Sequence, residues 1–320
     1  MVPAGLDGAD YHKSYLHPPL QAHPLYVGES SMTRFVYSAD THFGAVGPIY
    51  HQQNSYVERL PELIDCLARW IKRRGDINFV LHGGDMVNAG TAENIQLAAE
   101  GFVPLSPMHL SLGNHDLTED NSLEAWLSQA PKLLCGGQPD YTIETEDCAV
   151  HIAPTQWCGI PYRWESELEP DLLPEQIERL RRSIEERSDV LHLLCTHSPV
   201  FDVPPAQTGW DDPFHLPPEG FTASVTSLVN RFPQLGCVMG AHSHVNMHVE
   251  EGGCHFVTVS AFSEAPFEFK VFEVAGGEVR MSTRDLAKEV EFEFTYDDTR
   301  AYAQGRECDR SFVCHPNLHR

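Results

Sequence analysis

The chain has 320 residues, enough for one large domain or two small ones, with 42% apolar residues. Its 22 Lys and Arg against 46 Asp and Glu give a formal charge of -24, which would repel a polymer such as DNA or RNA. A small anionic substrate is compatible with this charge, because bound divalent cations can dominate the local field.

We expect neither a membrane span nor a secretion signal in this sequence. Residues 1–10 contain neither the basic nor the apolar part of a signal peptide, and no run approaches the roughly 18 apolar residues of a transmembrane helix. The nine cysteines are odd in number and scattered, and Cys195 and Cys237 lie in apolar, strand-like runs. This pattern is typical of reduced core thiols, so we predict a cytoplasmic protein that contacts no membrane.

Strands and helices are predicted to alternate through the first two thirds of the chain. Residues 1–30 are rich in Pro, Gly and His without a period, and are expected to form an N-terminal arm. Apolar runs predict strands over 34–39, 78–81, 107–112, 190–195 and 236–239, with a hairpin over 141–152. Helical spacing predicts helices over 53–74, 92–100, 122–129, 175–187 and 224–230.

The last third of the chain changes in character. Strands are predicted over 255–260, 267–274, 278–283 and 290–294. The Pro-rich segment 199–220 is longer than ordinary connections and is expected to be an active-site loop or lid. Alternating elements followed by a run of strands predict an α/β fold of two stacked sheets with helices outside. We expect one domain over 31–298 and a C-terminal tail, 299–320, that wraps the surface.

Five short segments supply side chains that bind metals, and each follows a predicted strand. They are residues 38–42, 83–85, 113–116, 196–198 and 240–244. Loops after strands are where an α/β scaffold presents its chemistry. Chance scatter of the 18 histidines is a poor explanation, because chain order, flanking glycines and strand context all agree.

The candidate ligands combine carboxylates, one amide and imidazoles: Asp40, His42, Asp85, Asn114, His197, His242 and His244. Such mixed donors suit Mn, Fe or Zn ions, whereas an all-oxygen site would favour Mg²⁺ or Ca²⁺. Seven ligands are too many for one tetrahedral ion and about right for two divalent metal ions that share a carboxylate. Asp85 follows a Gly-Gly turn, where the backbone can approach closely, so it is the candidate bridge.

Two metals bind and acidify a bridging water and clamp both sides of an in-line displacement at phosphorus. The site is therefore expected to hydrolyse a phosphoester. His115 is left over as a residue that is not a ligand. We predict that it protonates the leaving oxygen, with Asp116 orienting or charging it.

At these residues the sequence resembles the calcineurin-like metallophosphoesterase family. The family pattern is D-x-H, GD, GNH followed by D or E, a later H, and GH-x-H. It matches Asp40-Thr41-His42, Gly84-Asp85, Gly113-Asn114-His115-Asp116, His197 and His242-Ser243-His244, and the resemblance covers roughly residues 34–260. Two departures leave the ligands intact: Ala241 interrupts the usual Gly-His pair, and Asn88 stands where many members have a second Asp.

The resemblance implies a four-layer α/β/β/α sandwich of two mixed β-sheets flanked by helices, with the metals at the sheet ends. It assigns Asp40, His42, Asp85 and His244 to one metal. It assigns Asp85, Asn114, His197 and His242 to the other. His115 would then act on the substrate phosphate or on the leaving group.

The expected activity is hydrolysis of a small phosphorylated substrate, foremost a nucleotide-like phosphodiester, as in the similar class III cyclic nucleotide phosphodiesterases. The segment 197–199 and the modest size fit that group. A phosphomonoesterase or a nucleotide pyrophosphatase is the alternative enzyme, because specificity lies in loops that the motifs do not describe. The remaining alternative is a non-catalytic, metal-bound interaction module, although no ligand is missing here.

Several other residues are expected to be structural. Histidines inside strand-like runs are predicted to be hydrogen-bonded core residues: His82, His109, His192 and His255. His215 is expected at the surface, while Trp210 and Phe214 are expected either to stack on a nucleobase or to hold their loop down. Cys308, Cys314 and the histidines of the tail match no common zinc pattern.

Overall fold

Two stacked, mixed sheets form the centre of the molecule. The computed structural model describes residues 32–47, 49–166 and 169–316, so the predicted arm 1–30 lies outside the described residues. The strands are β1 (Thr33–Ser38), β2 (Phe79–His82), β3 (Met108–Leu110), β4 (Tyr141–Glu144), β5 (Cys148–Ile152), β6 (Leu191–Cys195), β7 (Leu235–Gly240), β8 (Met247–Glu251), β9 (Cys254–Thr258), β10 (Glu268–Ala275), β11 (Glu278–Asp285) and β12 (Ser311–Cys314). The helices are α1 (Leu60–Arg74), α2 (Ala92–Gly101), α3 (Ser122–Gln129), α4 (Pro174–Glu186), α5 (Pro205–Thr208) and α6 (Glu219–Arg231).

Each sheet combines a parallel and an antiparallel part. The first sheet has the order β12-β11-β10-β1-β2-β3, in which β1, β2 and β3 are parallel and the others antiparallel. The second sheet has the order β4-β5-β6-β7-β9-β8, in which β5, β6, β7 and β9 are parallel. Parallel neighbours end at the same edge of a sheet, so the loops after them lie together.

The second sheet is covered on both faces. Successive residues of a strand point to opposite faces. Leu193 and Cys195 of β6 belong to the core that also contains β1, whereas Leu194 packs with Leu180 of α4 and Phe221 of α6. Sheet packs on sheet at one face and helices cover the other, which confirms the predicted fold of two mixed sheets flanked by helices.

An aromatic ladder stabilises the centre of the first sheet. Phe35 of β1 stacks on Phe79 of β2 and on Phe272 of β10, with both ring centroids at 4.9 Å. All three are cross-strand neighbours in the sheet register. Such pairs contribute about 0.5–1.5 kcal/mol each beyond their buried area. The ladder thereby holds β1, whose end leads to Asp40.

Helix α1 and the strand predicted over 290–294 differ in the structure. Helix α1 begins at Leu60 rather than at residue 53, because Pro61 fits only the first turn of a helix. The strand predicted over 290–294 is wrong, since this segment pairs with no strand among the described residues. Its alternating rings instead cover an aromatic cluster: Phe294 lies 5.1 Å from Phe267, and Phe292 lies 5.7 Å from Tyr56.

The segment after residue 298 does more than wrap the surface. Residues Ser311–Cys314 form the edge strand β12, which pairs antiparallel with β11. Residues Asp298–Gln304 form a 3₁₀ turn that is tied to the loop before α1, because the side chain of Gln53 donates to the carbonyls of Asp297 and Arg300. No helix of the described chain is long and apolar enough to cross a membrane.

Candidate metal centre

All seven predicted ligands lie in loops at the carboxyl ends of strands from both sheets. Asp40 and His42 follow β1, Asp85 follows β2, and Asn114 follows β3. On the second sheet, His197 follows β6, and His242 and His244 follow β7. Each of these residues is buried, with a relative exposure of 9% or less. The two edges face each other, so the structure brings the five sequence segments into one site.

The first group of donors consists of Asp40, His42 and His244, whose ligand atoms all lie within 4.8 Å of one another. His244 Nε2 is 3.6 Å from Asp40 Oδ1 and 3.2 Å from His42 Nε2. Two imidazole nitrogens and a carboxylate oxygen thus converge on one point, which is the arrangement that a divalent cation needs.

The second group consists of Asp85, His197 and His242, again with ligand atoms within 4.8 Å of one another. Asp85 Oδ2 is 3.3 Å from His197 Nε2 and 4.0 Å from His42 Nε2. One carboxylate oxygen therefore faces both groups, as the predicted bridge requires. Asn114 contributes a buried Oδ1 that has no hydrogen-bond partner among the described residues.

The ligand loops are held in a strained backbone conformation. Five of the seven predicted ligands have positive φ: Asp40 (54°), His42 (48°), Asp85 (53°), His242 (62°) and His244 (57°). Residues with a Cβ seldom adopt this region, at a cost on the order of 1–3 kcal/mol each, and it persists only where the surroundings impose it. Backbone hydrogen bonds impose it here, since Asp40 N donates to the Gly84 carbonyl and His42 N to the Asp85 carbonyl, both at 3.0 Å.

Two glycines are required by close approach rather than by flexibility. A Cβ at Gly84, which has φ +113°, would collide with the imidazole of His197. A Cβ at Gly113 would collide with the carboxylate of Asp85. The glycines beside Asp85 and Asn114 in the motifs therefore make room for the ligands themselves.

Hydrogen bonds orient two of the histidines. His197 Nδ1 lies 2.9 Å from the Gly83 carbonyl, and His244 Nδ1 lies 2.5 Å from Glu264 Oε1. Both acceptors require the proton on Nδ1, which leaves the Nε2 lone pair of each ring for a cation. Glu264 Oε2 in turn accepts the backbone N–H groups of Gln52 (2.9 Å) and Gln53 (2.6 Å). Sequence reasoning missed Glu264, because it lies outside every motif.

The donor set fits metal ions on its own chemistry. Among the buried atoms of the predicted ligands, those without a hydrogen-bond partner in the described structure include Asp40 Oδ1, Asn114 Oδ1, His197 Nε2 and His242 Nε2. An unsatisfied buried group costs about 1–3 kcal/mol, which a bound cation would relieve. Burial by itself lowers the pKa of His197, but the carboxylates of Asp85 and Asp40 and the hydrogen bond to the Gly83 carbonyl together outweigh it and raise that pKa to about 9. The local field therefore favours additional positive charge.

His115 differs from the ligand histidines. It is half-buried, and its Nδ1 lies 2.8 Å from the Asn88 carbonyl, which leaves Nε2 free. Its ring stands edge-on to His42 at 4.8 Å and lies against Trp164 at 4.9 Å. The contact with residue 88 uses a backbone atom, so the side-chain departure from the family pattern at Asn88 leaves it intact.

Asp116 forms no hydrogen bond with the ring of His115 in the described structure. The Asp116 carboxylate accepts the backbone N–H groups of Val87 (3.0 Å) and Gly113 (2.8 Å). Consecutive residues of a helical turn do not face each other, which is why the two side chains diverge. Burial raises the pKa of Asp116 to about 7. Asp116 thus ties together the loops after β2 and β3.

Rings that no motif contains surround the centre. Trp157 and His215 lie 4.8 Å and 4.7 Å from the ring of His242, and Tyr50 lies 5.0 Å from that of His244. His215, which was expected at the surface, is half-buried, and its backbone N–H donates to Asp202 Oδ1 at 2.6 Å. The length of the Pro-rich segment indicated a loop at the site, but not which of its residues would reach it.

Two donor groups that meet at one carboxylate, at the strand ends of a two-sheet sandwich, define a dinuclear metal site. The chain belongs to the calcineurin-like phosphoesterase family, whose model matches residues 33–246. It is therefore a metal-dependent phosphoesterase with a centre for two divalent ions, as the sequence motifs predicted. No curated protein sequence matches the chain.

Solved structures share the fold at low sequence identity. A dimetal phosphatase from Danio rerio is 16% identical, with a TM-score of 0.60 over 83% of this chain and 99% of that one. A purple acid phosphatase from yellow lupin seeds is 14% identical, with a TM-score of 0.59 over 91% of this chain and 54% of that one. Plasmodium GAP50, described as an anchor in the inner membrane complex, is 11% identical, with a TM-score of 0.54 over 91% and 96%.

Proposed function

We propose that the protein is a phosphodiesterase that hydrolyses a small nucleotide-like ester. The observation that carries this proposal is the nature of the side chains around the centre. The rings that lie against the predicted ligands and His115 come from Tyr50, Trp157, Trp164 and His215, and they form an aromatic wall. A phosphodiester carries one negative charge and two organic groups, so it suits such a wall better than a doubly charged monoester does.

The ligand assignment is part of the proposal. Asp40, His42, Asp85 and His244 would hold one ion, and Asp85, Asn114, His197 and His242 the other. Bound there, Mn, Fe or Zn ions would supply Lewis acidity toward the phosphoryl oxygens and an activated water. Support comes from the shared position of Asp85 and from the unpartnered ligand atoms.

His115 is the proposed proton donor to the leaving oxygen. The Asn88 carbonyl occupies Nδ1, so Nε2 is the nitrogen that would carry the transferred proton. Packing against Trp164 and His42 restricts rotation of the ring, which keeps this nitrogen in place. The hydrogen bonds of Asp116 to Val87 and Gly113 support a role for it in joining the loops beside His115.

Hydrolysis of two model esters tests the proposal. Protein loaded with Mn²⁺, with its metal content measured, is assayed with bis-4-nitrophenyl phosphate and with 4-nitrophenyl phosphate. We expect a higher kcat/KM for the diester. Preference for the monoester would indicate a phosphomonoesterase instead. No turnover of either ester by protein that carries two metals would overturn the proposal.

A cytoplasmic location is the remaining proposal. All nine cysteines lie within the described residues and are free thiols, and six of them are buried. Buried, unpaired thiols in several strands are typical of a reducing compartment. Detection of the protein in the cytosolic fraction of its source cells, rather than in a secreted or membrane fraction, would test this.

A further inference from the structure

A cavity lies beside the metal centre. It has a volume of about 480 Å³, and its wall includes Tyr50, Gln52, Trp210, Phe214, Arg300 and Tyr302. Tyr50 belongs to both sites, because its ring also packs on His244 at 5.0 Å. A cavity of this size that continues from a catalytic centre is typical of a site for the organic part of a substrate.

The wall of this cavity is aromatic and only partly covered. The ring of Trp210 lies 5.6 Å from that of Phe214 and 5.0 Å from that of Tyr302. Trp210 and Tyr50 are nevertheless 45% and 54% exposed. Large rings left open to water at a cavity bind flat apolar groups well, because binding removes their surface from water.

Hydrogen bonds hold the rings of Tyr50 and Tyr302 in place. The Tyr302 hydroxyl donates to Gln52 Oε1 at 2.7 Å, and Gln52 Nε2 donates to the Tyr50 hydroxyl. Gln207 Nε2 donates to the Tyr302 carbonyl at 2.8 Å and so fixes the turn that carries this ring. The part of the wall formed by Tyr50 and Tyr302 is therefore ordered before a ligand arrives, which lowers the entropic cost of binding.

We propose that this cavity binds the nucleobase of the substrate, stacked on Trp210, while the phosphate lies at the metal centre. The inference rests on the proposed function. Stacking on an aromatic ring accepts any base, because every base has a π-face. The side chains of Gln52 and Thr299 at the wall add groups that can hydrogen-bond the edge of a heterocycle.

The charge of the wall favours a neutral ring over a second phosphate. Among the described residues that line the cavity, which include His51, Arg300 is the only lysine or arginine. Its guanidinium already donates to the backbone carbonyls of His51 (3.1 Å) and Gln52 (3.3 Å). One partly committed cation is a poor site for a dianion in a chain of charge -24.

Two diesters with the same leaving group and the same charge test the inference. Thymidine 5′-(4-nitrophenyl phosphate) carries a base, and methyl 4-nitrophenyl phosphate does not. Both are assayed with the Mn²⁺-loaded protein. We expect Trp210→Ala to lower the ratio of kcat/KM for the thymidine ester to that for the methyl ester about tenfold, as the loss of one stacking contact predicts.

Two variants serve as controls. Trp210→Phe keeps a ring and should retain most of the ratio. Leu216→Ala removes a side chain that is 67% exposed in the same Pro-rich segment but does not line the cavity, and it should leave the ratio unchanged. An unchanged ratio in Trp210→Ala would overturn the inference.

Failure of the proposed function can be told apart from failure of this inference. If the wild-type protein hydrolyses neither ester, the proposed function falls and the cavity is judged by binding alone. Calorimetry then compares adenosine 5′-monophosphate with ribose 5-phosphate. Tighter binding of the nucleotide by wild type, lost in Trp210→Ala, would support the cavity. Equal affinities in wild type would overturn it.

Discussion

Buried histidines occur in two regions of this protein, in the loops at strand ends and inside the strands, and their ring nitrogens are used differently. At the strand ends, His197 and His244 each use Nδ1 for a hydrogen bond to a fixed acceptor. Their Nε2 atoms lie 3.3 Å and 3.6 Å from the carboxylates of Asp85 and Asp40. One nitrogen of each ring fixes its orientation, and the other remains available to bind a metal ion.

In strands β5 and β6, both ring nitrogens of His151 and of His192 bond to the scaffold. His151 bonds Thr142 through Nδ1 at 3.0 Å and His192 through Nε2 at 2.8 Å, and His192 bonds the Arg187 carbonyl at 2.9 Å. Burial lowers the pKa of His151 and of His192, so both stay neutral. Burial alone therefore does not identify a ligand histidine. A leftover nitrogen that faces a carboxylate does.

The largest effect is expected at the carboxylate that faces both donor groups. Asp85→Ala should lose both metals, and its diester hydrolysis should fall by at least about a thousandfold, because the ions supply several kcal/mol of transition-state stabilisation. Elemental analysis and the rate with bis-4-nitrophenyl phosphate measure this. The control Asp212→Ala, at an exposed aspartate, should keep both metals and the rate of the wild-type protein. Retention of one tightly bound metal would contradict a shared role for Asp85.

The next effect separates a proton donor from a ligand. His115→Ala should keep both metals and lose about 10²–10⁴ in kcat for alcohol leaving groups, with a smaller loss for 4-nitrophenolate, which needs no proton. His115→Ala is compared with His315→Ala, which removes an exposed histidine. The nitrogen of His115 also lies within 4.8 Å of donor atoms of His42 and Asp85. Loss of a metal ion in His115→Ala would therefore identify His115 as a metal ligand rather than a proton donor.

A smaller effect is expected behind the ligands. Glu264→Gln removes the charge that the Nδ1–H of His244 points at, so affinity for the metal at His244 should fall about 10–100-fold. Titration of metal-free protein with Mn²⁺ measures it. Glu62→Gln, at an exposed glutamate of α1, is the matched control. Unaltered affinity in Glu264→Gln would show that the backbone positions His244 without Glu264.

The smallest effect concerns the scaffold and its pH dependence. His109 is buried, neither ring nitrogen has a partner among the described residues, and burial lowers its pKa to about 4. Below about pH 6.5 the unfolded chain binds a proton there that the folded protein does not, so this residue makes the fold less stable as pH falls toward about 4. His109→Leu removes that linkage.

The free energy of unfolding of His109→Leu, relative to that of wild type, should therefore be about 2 kcal/mol higher at pH 5 than at pH 8. Metal-free protein is used throughout. Urea unfolding at both pH values measures the difference, and His315→Leu, at an exposed site, should show none. A difference that does not change with pH would mean that the folded protein protonates His109 as readily as the unfolded chain does.

Much of the fold and of the candidate site follows from local sequence. Apolar runs that end in Asp, Asn or His predicted the strands and the donors after them, because strand length and loop position are set by near neighbours in the chain. The strand prediction over 290–294 was wrong because it too relied on local sequence alone. The rings of this segment are apolar on alternate positions, but their partners are Tyr56 and Phe267 rather than a neighbouring strand.

The sequence by itself determined the seven predicted ligands, the spare His115 and the class of fold. Only the tertiary structure decided what orients and surrounds them. Glu264 meets the backbone of Gln52 across 212 residues of chain, and Tyr302 meets the same residue across 250. Such contacts depend on how β1, β7 and the segment after β11 come together, and no local spacing encodes that. The candidate metal ligands can thus be predicted from motifs, whereas the cavity that would select the substrate forms only when segments distant in the chain pack together.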